Sequence, residues 1–229
     1  MPKTRFIVVF ILFATHIVKA QGNISRDTIT RGEYTLFFIN QSPEFAVETR
    51  QKMIDAFFTV YPEEAKRFNK KTLRQVTFII DPSYTGVAET GNGVSRYSPG
   101  WLKENPEDID VVTHEVMHIV QDYRGGNPGW LTEGIADYVR YVYGVNNIRS
   151  NWKLPDYRPG QHYTNAYRVT ARFLLWVEKE KNKKIVDRMD KALREGSYTP
   201  ELWVKLTGKT VDELWAAYSA SPEMKLAYK

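Results

Sequence analysis

Cysteine is absent from the 229 residues. That excludes a disulfide framework and a lipid-modified cysteine, so the fold must stand on its hydrophobic core alone. A strong charge of either sign is also lacking. The chain carries 32 basic and 27 acidic residues, a net +5, yet Lys3, Arg5 and Lys19 fall within the first 20 residues, which hold no acid. Removing those three from 32 leaves 29 against 27, or +2, for the remainder. So small a balance, with no basic stripe interleaved with aromatics, gives no support for binding nucleic acid or an anionic membrane surface. Long apolar runs are missing too. Residues 6–14 form a short one, behind Lys3 and Arg5 and ahead of the Val18-Lys19-Ala20 site. This is the pattern of a secretory signal peptide over residues 1–20, cut before Gln21, and the run is too short to span a bilayer comfortably. A secreted or periplasmic protein is expected, monomeric and free of the membrane after cleavage. Residues 21–229 suffice for one good core and read as a single domain, without repeats, low-complexity tracts or linkers.

Histidine is scarce as well, with four copies, and two of them fall in one motif. Residues 111–124 contain His114-Glu115-Val116-Met117-His118. Residues four apart lie on one helical face, so both imidazoles can share a metal ion, and Glu115, about 100° around, can reach a water beside it. Val111, Val112, Val116, Met117, Ile119 and Val120 make most of the remaining circumference apolar. A buried helix that carries a site is predicted.

Two histidines do not complete a catalytic zinc site, which needs three protein ligands and an open position. The run Gly125-Gly126-Asn127-Pro128-Gly129 turns the chain back before Trp130-Leu131-Thr132-Glu133-Gly134-Ile135-Ala136-Asp137. An antiparallel second helix there brings Glu133 and Asp137, one turn apart, past the two histidines. Glu133 is the expected third ligand, and Asp137 the carboxylate that orients a zinc histidine from behind. The reverse assignment is the alternative.

The order Val111-x-Thr-His-Glu-x-x-His-x-x-Gln121, a Gly/Pro turn, then Trp130-Leu-x-Glu-Gly-Ile-Ala-Asp-Tyr-Val-Arg140 resembles the plant basic secretory protein family and its bacterial relatives. Tyr167 to Leu174 and Thr207 to Trp215 are also similar, so the resemblance covers roughly residues 75–218. It implies a zincin-type metallopeptidase with His114, His118 and Glu133 as Zn2+ ligands, Glu115 as the catalytic glutamate, and a peptide or protein as substrate. Metzincins differ. They place a Gly three residues after the second histidine and a further ligand three beyond that, where this chain has Gln121 and Arg124.

The rest of the chain predicts an α+β, zincin-like fold: a small mixed sheet with an edge strand over the His-Glu-x-x-His helix, then a helical C-terminal part. Strands are expected over 33–40 and 75–81, and a hairpin over 84–100 turning at Gly91-Asn92-Gly93. By family analogy that hairpin is the upper rim of the cleft. Helices are expected over 43–60, from Pro62, and over 164–181, 183–194, 200–206 and 211–218, the last opened by a Thr210/Glu213 capping box. Asp108 and Asp110 are expected to cap the metal helix. Residues 145–162, an irregular stretch with many aromatics, could wall the cleft. Zinc peptidases build negative charge on the former carbonyl oxygen, which a neutral Tyr or His donor stabilises. Tyr167, within the family-like stretch, is the first choice, ahead of Tyr163 and His162. The other functional class left open is a zinc-containing secreted protein that binds a peptide or glycan without cutting it.

Overall fold

The computed structural model describes residues 25–228. The expected signal peptide and its cleavage site lie outside the described residues.

A five-stranded sheet comes first: β1 (Ser25–Arg31), β2 (Tyr34–Asn40), β3 (Gln75–Ile80), β4 (Ala88–Gly91) and β5 (Val94–Tyr97). The spatial order is β1-β2-β3-β5-β4, with β2, β3 and β5 parallel and β1 and β4 antiparallel to their neighbours. In β2 and β3 alternate residues are buried, Leu36 and Phe38 beside Val76, Phe78 and Ile80. This period of two puts one apolar face against helix α1 (Val47–Arg67). Phe57 of α1 meets Phe78 edge to face, with ring centroids 5.5 Å apart.

The sequence reading needs three corrections here. β1 has no counterpart among the strands the sequence predicts, because Ser-Arg-Asp-Thr-Ile-Thr-Arg has no apolar face to signal a strand. It is held at the sheet edge by pairing with β2 and by Asp27–Arg50 and Arg31–Asp55 ion pairs, each 2.8 Å. The helices expected at 43–60 and from Pro62 are one helix that starts at Val47 and runs through Pro62. A mid-helix proline costs about 3 kcal/mol, but Met53, Ile54, Phe57, Val60, Tyr61 and Ala65 form an unbroken buried face on both sides of it, and their burial outweighs that cost. The third correction is that residues 98–100, the end of the expected hairpin, belong to a short helix α2 (Pro99–Glu104), which Ser98 caps by accepting a hydrogen bond from the Trp101 amide at 3.2 Å. The hairpin turn itself falls where expected, with Asn92 and Gly93 both at positive φ, 52° and 76°.

Helix α3 (Val111–Gln121) carries the histidine motif and packs against α1 and β4. It ends earlier than residue 124 because Asp122 turns left-handed at φ 46°. Asp110 precedes it without capping it. Its carboxylate instead accepts the Val145 and Asn146 amides at 2.7 and 2.6 Å and the Thr113 hydroxyl at 3.1 Å, tying the start of α3 to the far end of the next helix. Asp108 likewise pairs with Arg140 and the Trp101 indole rather than capping.

Helix α4 (Gly129–Tyr143) returns beside α3, and α5 (Tyr167–Glu180) lies against α4. The closest approach is at Gly134, where a Cβ would stand 2.2 Å from Thr170 Cγ2 and 2.6 Å from Thr170 Cβ. Gly134→Ala therefore forces the two helices apart. The expected loss is about 1–3 kcal/mol, an overpacking cost, seen as a fall in Tm of several degrees; an unchanged Tm would show that the helices separate freely.

Three further helices, α6 (Ile185–Arg194), α7 (Glu201–Thr207) and α8 (Val211–Ala220), close the base. Trp203, Trp215 and Tyr218 cluster around Phe173 of α5, with ring centroids 5.3–6.1 Å away. The Thr210/Glu213 capping box forms at the start of α8. Among the described residues no helix is long and apolar enough to cross a membrane.

Candidate metal centre

The side chains that meet between α3 and α4 do so because of two helical spacings. His114 and His118, one turn apart on α3, bring their Nε2 atoms to 3.2 Å. Glu133, in the first turns of α4, places Oε2 3.2 Å from His114 Nε2 and 3.5 Å from His118 Nε2. All three ligand atoms lie within 4.8 Å of one another and could hold a metal ion. Two N or O ligands at the usual zinc distance, about 2.0–2.2 Å, in a tetrahedral site stand roughly 3.3–3.6 Å apart. The donor set and its spacing thus fit that ion.

Behind the cluster each imidazole has its own acceptor. Asp137 Oδ1 is 2.7 Å from His114 Nδ1, and Gln121 Oε1 is 2.7 Å from His118 Nδ1. With both Nδ1 atoms donating, the two Nε2 lone pairs face the same point. Gln121 is itself fixed, since its amide donates to the Thr132 carbonyl of α4 at 2.9 Å. In the sequence Gln121 stands where metzincins place a glycine, and nothing in that comparison predicts this supporting contact. Its position three residues after His118, on the same helix face, was the available signal.

The electrostatics favour a cation in this cluster. Burial opposes a charge on His114, but the adjacent Asp137 and the hydrogen bond to Glu133 hold its pKa up to about 10. Glu133 is likewise opposed by burial, and its bonds to both histidines hold its carboxyl far below the usual range. Carboxylates that retain a proton at His114 Nε2 also attract a metal ion that competes for the same lone pair.

Glu115 lies beside the cluster, not in it. It is buried, and its Oε2 accepts the Thr90 hydroxyl at 2.7 Å. Thr90 belongs to β4, the edge strand over α3, and its hydroxyl lies 2.8 Å from that of the buried Ser95. Sequence reading assigned Thr90 no role, because a threonine in a short strand gives no hint that it faces a carboxylate from another element.

Of the three expected oxyanion donors, Tyr167 alone lines the cavity. Its ring stacks on that of His114, centroids 6.1 Å apart and planes 18° off parallel. The negative charge of Glu133, with partial burial, raises its pKa, which keeps the hydroxyl protonated as a donor. Tyr163 points elsewhere and donates to Asp212 at 2.7 Å, and His162 caps the turn over 163–165. The helix expected from Thr164 starts at Tyr167 because Ala166 and Tyr167 both take positive φ, 63° and 48°. For residues with a Cβ such backbone is costly and is often found at functional sites. The loop over 145–162 contributes Arg149, Ser150, Asn151 and Trp152 to the cavity wall, as expected of it. The cavity encloses about 1160 Å³.

A mixed sheet with an antiparallel edge strand over a His-Glu-x-x-His helix, and a second helix supplying a glutamate, define the zincin class of metallopeptidase folds. The family described as "peptidase of plants and bacteria" matches residues 18–218, and the chain belongs to it. Solved structures of similar fold include Legionella pneumophila aminopeptidase A in complex with aspartic acid, at TM-score 0.58 and 18% identity over 84% of this chain and 27% of that one. Another is a mutant M1 zinc metallopeptidase of Deinococcus radiodurans bound to a Tyr-Ser-Ala substrate, at TM-score 0.52 and 12% identity over 90% and 54%. The chain thus spans about half or less of the length of these proteins. No curated relative matches it.

Proposed function

We propose that the protein is a secreted zinc metallopeptidase that hydrolyses peptide bonds, with zinc held by His114, His118 and Glu133. The observation that carries this reading is the convergence of those three ligand atoms within 4.8 Å, with Glu115 and Tyr167 on the same cleft. Membership of a peptidase family supports the reaction type. Export rests on residues 1–20 of the sequence.

Zinc bound there would lower the pKa of a water and polarise the substrate carbonyl. Glu115 is the general base. It takes a proton from the attacking water and passes it to the departing amine. The Thr90 hydroxyl, donating to Oε2, orients the carboxylate. Tyr167, kept neutral, donates to the carbonyl oxygen as it becomes negative. Asp137 and Gln121 hold the imidazoles in place so that the ligands need no reorganisation.

Removing the metal tests the reading as a whole. The exported chain, purified without chelator, is expected to contain about one zinc and to cleave peptides; a chelator should abolish cleavage and added zinc restore it. A protein that takes up no zinc when supplied with it would overturn the proposal.

A further inference from the structure

The cleft extends past the metal ligands on both sides and its unpaired charge is of one sign, and together these features specify a substrate. Its lining runs the whole length of α3, from Asn105–Asp108 before the helix to Gln121 and Tyr123 at its end. Eleven residues at 1.5 Å rise make about 16 Å, and the metal ligands lie in the middle. An extended peptide advances about 3.3 Å per residue, so roughly five residues fit, with chain on both sides of the bond to be cut.

Every carboxylate on this lining already has a partner. Glu89 pairs with Arg96 at 3.2 Å, Glu107 with Lys52 at 2.9 Å, and Asp108 with Arg140. Glu115, Glu133 and Asp137 are engaged as described above. An ammonium group at a peptide's amino end would have to share or displace one of these partners. The cations differ. Arg149 and Arg168 both line the cavity, and neither has a carboxylate within ion-pair distance among the described residues. Arg168 follows Tyr167, which stacks on His114, and its guanidinium reaches only the Lys153 carbonyl at 3.5 Å. Glu107 feels the charge of Arg149 but is itself held by Lys52 and Asn146.

We propose that the substrate brings a carboxylate to Arg149 and Arg168 and is cut within the chain, not at its amino end. This rests on the peptidase reading above. The carboxylate can be an acidic side chain or the carboxyl end of a short peptide, since both offer the same planar acceptor to a guanidinium.

The test uses the zinc-loaded protein and acetylated, C-amidated octapeptides in which one Glu, Ala or Lys is walked along a neutral sequence. A matching Ala peptide with a free carboxyl end is added. Products are mapped by mass spectrometry and kcat/KM is measured. Glu peptides should be cut internally about tenfold faster than Lys peptides when the acid lies within three residues of the bond, the size expected of two exposed ion pairs. The advantage should shrink with added salt. In the double charge reversal Arg149→Glu/Arg168→Glu the order should invert. A faster reaction of the free-carboxyl peptide would identify the chain end as the source; a faster reaction of the internal Glu peptide would identify the side chain. Equal rates for Glu, Ala and Lys, or cleavage that requires a free amino end, would overturn the proposal. Binding of the same peptides to zinc-loaded Glu115→Gln, followed by fluorescence anisotropy, separates the two claims. If the wild type cuts nothing but Glu115→Gln prefers Glu over Lys peptides, selectivity stands and the peptidase reading fails. Indiscriminate binding together with no cleavage removes both.

Discussion

Glu115→Gln is expected to lower kcat for peptide hydrolysis by about 10²–10⁴, the usual worth of a positioned general base, while the metal content stays at one per chain. The amide is nearly the same shape as the carboxylate, and its oxygen can still accept the Thr90 hydroxyl that now sits 2.7 Å from Oε2. Packing under β4 is therefore preserved. What the amide lacks is a lone pair basic enough to take a proton from water. Glu115 is outside the group of ligand atoms formed by His114, His118 and Glu133, so no metal ligand is lost. KM should change little, because the charge removed is not one that holds the peptide. Initial rates and metal analysis on the same preparation check both halves. Activity within tenfold of wild type would take the proton transfer away from Glu115.

The sequence revealed the centre far better than its surroundings, and the reason is geometric. His114, His118, Glu133 and Asp137 sit on two helices, where spacing fixes direction: one turn separates each pair, and a Gly/Pro turn reverses the chain between them. Contacts of that kind follow from periodicity alone. Thr90 and Arg168 meet the cleft from a strand and from a helix start entered through left-handed backbone at Ala166 and Tyr167. No local periodicity predicts where such residues point. Asp110 shows the opposite failure. Position alone suggested a helix cap, but the amides of Val145 and Asn146 at 2.7 and 2.6 Å give that carboxylate better donors. β1 was missed because an edge strand needs backbone pairing more than an apolar face.

Glu133→Ala is the change expected to empty the centre. Asp137, which only orients His114, sets the scale, since losing a partner of that kind costs about 10- to 100-fold in metal affinity. In the proposed site Glu133 would supply a ligand atom itself, its Oε2 standing 3.2 and 3.5 Å from the two histidine Nε2 atoms, and the negative charge that balances the cation. Its loss leaves two neutral nitrogens, too few for a stable zinc site. Dialysed Glu133→Ala protein should therefore hold well under a tenth of a zinc per chain, below Asp137→Ala prepared alongside it, and show no peptidase activity. Stability supplies an independent reading. Zinc at a thousand times its dissociation constant adds about 4 kcal/mol to the folded state, so wild-type Tm should rise on zinc addition while that of Glu133→Ala stays nearly constant. Stoichiometric metal in Glu133→Ala would remove Glu133 from the ligand set. Asp137, one turn further along α4 and already 2.7 Å from His114, would then be the carboxylate to examine.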